Sequence, residues 1–350
     1  MLLLLIAASG VGGWLGIARP ALEFAARPGA TTHTLVRIDP GLRLGQIAHL
    51  LRRRGVVRHA WAVVVLAVVR GDARRLEAGT YELGPGMTPG QILAVLAAGR
   101  VATVRVTLPE GLVTSQVLGR LRRAGIGSAG QLAQAGYDAH LRTAAGLPPA
   151  SAGVRSPLEG YLFPSTYVFP AGTGASAAVA RLLDQFRSEW TPQLAAAARA
   201  NAGLNTLQAV TLASIVQREV ARPRQMAQVA AVYLERLRRG MRLDADPTVL
   251  YALGRQGQTA ALSGSELAVH SPYNTYRHHG LPPGPICNPG LAALEGVAHP
   301  AHTHALYFLT TPGGRLVLAD TLAQQEANRR RYLSGAGAAS ATPAGPQPAN

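Results

Sequence analysis

The chain has 350 residues, enough for one large or two ordinary domains with cores of their own. With 48% hydrophobic and 15% charged residues it is neither wholly disordered nor a fibre, and its single Cys287 excludes a disulfide framework or a multi-cysteine metal site. The net charge of +16 comes from 34 arginines against 18 acidic residues, with no lysine, and fits either a GC-rich genome or an anionic partner. No basic stripe is interleaved with aromatics, so nucleic acid is not an expected partner.

Residues 1–18 carry no charged side chain, include Trp14, and are ended by Arg19-Pro20. That length is the lower limit for crossing a bilayer, so a transmembrane anchor is expected, with a cleaved signal peptide as the main alternative. Residues 60–69, AWAVVVLAVV, are too short to span and are predicted to form a core helix.

Residues 33–125 contain a weak internal repeat. The copies are Pro40–Ile47 (PGLRLGQI), Pro85–Ile92 (PGMTPGQI) and Glu110–Val117 (EGLVTSQV). Each follows an alternating stretch, Thr34–Ile38, Thr80–Leu83 or Thr103–Leu108, and leads into helical spacing such as Ile47, Leu50, Leu51. The pattern predicts a strand, a Pro/Gly turn and an amphipathic helix. It suits a plain packing unit or a small carbohydrate-binding module, and spacing does not decide between them. Residues 126–155 read as a connector with a helix, and 334–350 as a disordered tail.

A helix is predicted over 206–221. On its wheel Glu219 falls roughly 20° from Leu212 and about 40° from Ile215, in the middle of the apolar stripe. Gln217 points elsewhere. Burial favours the neutral acid, and a Glu protonated near neutral pH can protonate a leaving group; a structural Glu paired with arginine is the alternative. Met226–Arg239 is predicted to be a packing helix, with Tyr233 on its apolar stripe. Asp246 is expected to cap a short helix that has Pro247 in its first turn and ends at Gly254.

Residues 270–290 crowd turn formers into a loop that should be rigid without regular structure. Tyr273, Asn274, Thr275, Tyr276 and Asn288 offer stacking faces and hydrogen-bonding groups that suit sugar rings. His299, His302 and His304 have no metal-binding helical spacing, so neither a metal nor another cofactor is expected.

Several segments together carry a resemblance. They are Leu158–Pro164 (LEGYLFP), Ala213–Glu219 (ASIVQRE), Arg242–Val249 (RLDADPTV), Ser271–Arg277 (SPYNTYR), Gly280–Ile286, Asn288–Gly290 and Leu306–Phe308. Ala78–Tyr81 and Pro109–Gly111 also fit. Over roughly 33–333 the chain resembles the endolytic murein transglycosylase family, also called YceG-like or MltG. The resemblance implies an α+β protein of the inner (plasma) membrane, single-pass, with its catalytic domain on the cell-wall side. It implies an anchor at 1–18, a LysM-like module at 33–125, a connector at 126–155, a catalytic domain at 156–333 and a tail from 334. The implied reaction is cleavage of nascent peptidoglycan glycan strands, with peptidoglycan synthases (penicillin-binding proteins) as partners.

The resemblance makes Glu219 the catalytic residue. The implied substrate contacts are Glu159, Tyr161, Gln217, Asp246 and Thr248, besides the five loop residues. The family's A-S-I-x-E-x-E motif has Gln217 at its first Glu here, and Ser165 stands where the family's F-P-D-T-Y has Asp. A water-using muramidase would need Asp244 or Asp246 as a second carboxylate, and a silent wall-binding scaffold would make Glu219 structural.

Overall fold

The computed structural model describes residues 24–255 and 262–333. The expected anchor at 1–18 and tail at 334–350 lie outside them. Among the described residues no helix is long and apolar enough to cross a membrane. The chain divides into two compact units, one running to Arg105 and including Val168–Thr173, the other holding Val106–Tyr167 and Gly174 onward.

The first unit holds β1 (Thr34–Ile38), α1 (Leu44–Arg53), α2 (Ala60–Val69), β2 (Gly79–Leu83) and α3 (Pro89–Ala97). β1 and β2 are antiparallel, Thr34 opposite Leu83 and Val36 opposite Tyr81. Their alternation buries Val36, Ile38, Tyr81 and Leu83 against Ile47, Leu51, Val63, Ile92 and Leu96. The repeat has a physical basis in its shared glutamine. Gln46 and Gln91 occupy the third position of α1 and α3, and each side chain accepts the backbone N–H of the cap residue, at 2.8 Å in both.

One expectation fails here. α2 buries Ala60, Ala62, Val63 and Ala67, yet Trp61, Val68 and Val69 stand exposed, so it is half a core helix. An all-apolar sequence has no polar side to show which face turns outward.

β3 (Thr103–Leu108) pairs with β4 (Ser165–Pro170), and these strands carry the chain from one unit into the other. The third repeat copy leads into α4 (Thr114–Arg123), again with its glutamine, Gln116, at the third position. This helix belongs to the second unit, so the expected module boundary at 125 moves back to 105. The cause lies in contacts distant in sequence: Gly111 N–H donates to Asn288 O and Asn288 N–H to Leu112 O, at 2.9 and 2.8 Å.

The presumed connector is likewise built in. α5 (Ala129–Gly136) packs on α4 and on α7 (Ala175–Glu189), and α6 (Ala139–Ala144) follows it. The buried Arg142 donates to the carbonyls of Pro148 and Pro157.

The rest is α8 (Pro192–Ala202), α9 (Thr206–Glu219), α10 (Pro223–Arg238), α11 (Asp246–Ala252), α12 (Gly264–Leu267), α13 (Leu291–Ala298), the hairpin β5 (Tyr307–Thr310) with β6 (Leu316–Ala319), and α14 (Leu322–Leu333). α8, α9 and α10 each pack on α13. The architecture is mixed α+β, as expected.

Candidate active site

α9 starts in a reciprocal cap, Asn205 with Gln208, and buries Leu212, Ile215 and Val216 completely. It ends at Glu219, two residues earlier than expected. Val220 is extended, and Arg222 precedes Pro223, which disfavours helix. Glu219 therefore sits at the open end of the apolar stripe and is half-buried.

Tyr233, fully buried one helix later on α10, donates its hydroxyl to Glu219 Oε1 at 2.7 Å. Its ring meets Phe308 edge-on, with centroids 5.7 Å apart. Burial pushes the Glu219 carboxyl from 4.5 up to about 7. The Tyr233 hydrogen bond works against that rise, Asp246 adds to it, and Arg236 and Arg218 oppose it. Among the described residues, no group hydrogen-bonds Oε2.

Arg236, one turn beyond Tyr233, is 1% exposed. Its Nε and Nη1 donate to the carbonyls of Leu306 and Leu243, both at 2.6 Å, and its guanidinium lies over the Tyr307 ring. Nη1 also stands 3.9 Å from Asp244 Oδ2. Asp244 adopts φ +48°, the one left-handed non-glycine among the described residues, and its other oxygen is 3.7 Å from Arg242 Nε.

Asp246 differs from expectation. The cap position of α11 is Ala245, and Asp246 is the first helical residue. Its carboxylate accepts the Tyr276 hydroxyl at 2.6 Å instead of a helix N–H, and burial raises it to about 6.

The loop at 271–289 is tied down as predicted, without helix or strand. Thr248 and Thr275 share a hydrogen bond of 2.9 Å, and Thr275 Oγ1 accepts the Ala245 N–H. Asn274 Nδ2 donates to the carbonyls of Leu267 and Val269. Tyr273 packs on Tyr251 with ring centroids 4.8 Å apart. Asn288 accepts from Leu162 N–H and donates to Leu112 O, both at 2.8 Å.

Glu159 is a second buried acid. Its Oε1 accepts the Thr114 N–H at the start of α4 at 2.9 Å, and its Oε2 accepts the Tyr251 hydroxyl at 3.2 Å. Burial outweighs these bonds and holds it up at about 7. Tyr161 has no exposed surface; its ring lies between Phe186 and the Arg142 guanidinium.

The expected sugar-gripping set thus splits. Glu159, Tyr161, Asp246, Thr248, Tyr273, Asn274, Thr275 and Asn288 are buried. Gln217, Glu219 and Tyr276 are half-buried. Gln217 is turned from Glu219 and accepts the Gly290 N–H at 2.9 Å. Tyr233 and Arg236 went unrecognised as site residues. Their signal was a phenol and a guanidinium one turn apart on a packing helix, since a buried tyrosine hydroxyl needs a partner.

These features define a two-unit α+β protein with a half-buried carboxylic acid, hydrogen-bonded to a buried tyrosine, at a helix end in its second unit. The chain belongs to the YceG-like family, whose sequence profile matches residues 36–331. It is 28% identical over 334 residues to an endolytic murein transglycosylase of Bacillus subtilis, covering 93% of this chain and 91% of that one. A Streptococcus pneumoniae serotype 2 protein of the same name is 27% identical; the match takes in 95% of this chain and 64% of that protein. The crystal structure of a YceG-like protein from Listeria monocytogenes superposes with a TM-score of 0.58 at 28% identity, covering 85% of this chain and 99% of that one.

Proposed function

We propose that this chain is an endolytic peptidoglycan lytic transglycosylase, with Glu219 as its single acid–base. One observation carries the reading. A half-buried carboxyl held near neutral pKa has one oxygen oriented by Tyr233 and the other without a hydrogen-bond partner among the described residues. Such a group is protonated often enough to give a proton and basic enough to take one back.

Glu219 protonates the oxygen joining MurNAc C1 to GlcNAc, and the C1–O bond breaks. The resulting carboxylate removes the proton from the MurNAc 6-hydroxyl as that oxygen bonds to C1. The product is a 1,6-anhydroMurNAc end, and no water is consumed. Tyr276 and Gln217 stand at the solvent side as glycan contacts, while Glu159, Tyr161, Asp246, Thr248, Tyr273, Asn274, Thr275 and Asn288 hold the loop and helix ends in place.

A hydrolytic muramidase is less favoured because both available aspartates are committed, Asp244 to Arg236 and Arg242, Asp246 to Tyr276. The first unit serves as a LysM-like glycan-binding module, which its separate core supports. The apolar run at 1–18 anchors the protein in the plasma membrane with the second unit on the wall side, beside the penicillin-binding proteins that polymerise the strands. There the enzyme ends strand elongation.

The test is digestion of nascent uncrosslinked peptidoglycan, with mass spectrometry of the new ends. Anhydro ends that vanish with Glu219→Gln are expected. Ends one water heavier would indicate a hydrolase, and retained glycan binding without cleavage a scaffold.

A further inference from the structure

α2 is built of apolar side chains alone, yet the described residues do not cover all of it. Trp61, Val68 and Val69 are 45%, 62% and 78% exposed. Val65, Val68 and Val69 follow Trp61 by four, seven and eight positions, so all four share a face. An apolar face left in water marks an interaction surface.

Its surroundings are basic. Arg58 precedes the helix, Arg70 closes it and Arg74 follows, all exposed. The triplet Arg52–Arg54 at the end of α1, which packs on α2, is exposed too. Residues 24–105 hold twelve arginines against four carboxylates.

We propose that this face of α2 docks on the surface of an anionic lipid bilayer. Trp61 suits the boundary between headgroups and acyl chains, the valines suit the apolar side, and the arginines neutralise lipid phosphates. A glycan strand could stack on Trp61 but has no use for Val68 and Val69, which offer neither a flat face nor a hydrogen bond. A second copy of the chain would bring its own arginines against these. Five residues separate the apolar run at 1–18 from Phe24, the first described residue, a span of at most ~22 Å, and Arg27 N–H is bonded to Pro85 O of the first unit. On the reading that the run is seated in a bilayer, the unit that carries α2 stays near the headgroups.

The full-length chain is mixed with vesicles of phosphatidylcholine alone or with about one-third phosphatidylglycerol, and deuterium uptake of residues 58–71 is followed. Uptake is expected to slow several-fold on anionic vesicles only, and to recover in about 1 M salt, where charges are screened beyond ~3 Å. Trp61→Ser with Val68→Ser removes the protection. Arg58→Gln with Arg74→Gln weakens apparent vesicle affinity roughly tenfold or more. All four side chains are exposed, and unchanged uptake of β2 verifies that each variant is folded. Absence of protection, equal protection on neutral vesicles, protection by glycan strands in place of lipid, or concentration-dependent protection without vesicles would each overturn the proposal.

Discussion

At the scale of the residue, Glu219 and Tyr233 act as a unit. Glu219→Gln keeps the side-chain volume and removes the proton donor, so cleavage is expected to fall by about 10²–10⁴-fold with melting temperature unchanged or raised; turnover assays beside a thermal scan check both halves. Tyr233→Phe makes a finer prediction. The Tyr233 hydroxyl stabilises the ionised carboxylate, so its loss raises the Glu219 pKa above about 7. The first proton transfer needs the acid form, so the alkaline limb of kcat/KM near pH 7 moves to higher pH. A limb that stays in place, or moves down, contradicts this role. The wheel position of Glu219 was legible because helical periodicity is a local property. Its hydroxyl partner, fourteen positions on, was not, since a hairpin of helices brings them together.

At the scale of the element, α4 takes its N-terminal acceptor from another part of the chain. Its own cap residue is Val113, whose side chain has no acceptor, and Glu159 supplies the oxygen. Glu159→Ala leaves the Thr114 N–H and the Tyr251 hydroxyl without that acceptor, and on the order of 2–3 kcal/mol of stability is expected to be lost. Urea unfolding at pH 7 measures it.

Neighbouring Gly160 shows how tightly the segment is placed. It adopts φ +89°, and a Cβ there would lie 2.5 Å from Pro285 Cγ and 2.9 Å from Val210 Cγ1. Gly160→Ala is expected to cost about 2–4 kcal/mol from backbone strain and overpacking together. A thermal shift within error of wild type would show that the loop at 285 yields more easily than its packing indicates. The motif LEGYLFP was visible in the sequence as a motif. Its work as a cap and a close-packing turn was not, because both partners lie far along the chain.

At the scale of the whole molecule, burial raises four acids, Glu159, Glu219, Asp246 and Asp244, so each keeps its proton to higher pH than in the unfolded chain. Burial raises Glu159 and Glu219 from 4.5 to about 7, and Asp246 from 3.8 to about 6. A folded pKa above the unfolded one gives stability that is fully present below the unfolded value and is lost as pH rises through the folded value. Melting temperature is therefore expected to fall between pH 5 and pH 8. For Glu159 the shift corresponds to on the order of 3 kcal/mol, and Glu159→Gln should flatten that part of the profile. Thermal scans of both proteins across the window decide it; a wild-type profile that climbs with pH would mean other groups dominate.

From sequence alone came the mixed α+β class, the strand–turn–helix repeat, the family resemblance and the stripe that carries Glu219. All of these rest on spacing along the chain or on contiguous motifs. The tertiary structure decided what depends on proximity between distant segments. It moved the third repeat copy into the second unit through the Gly111, Leu112 and Asn288 hydrogen bonds. It placed most of the residues expected to contact sugar in the interior. It turned Trp61, Val68 and Val69 outward, because a helix with no polar face records nothing in its sequence about which side will meet solvent.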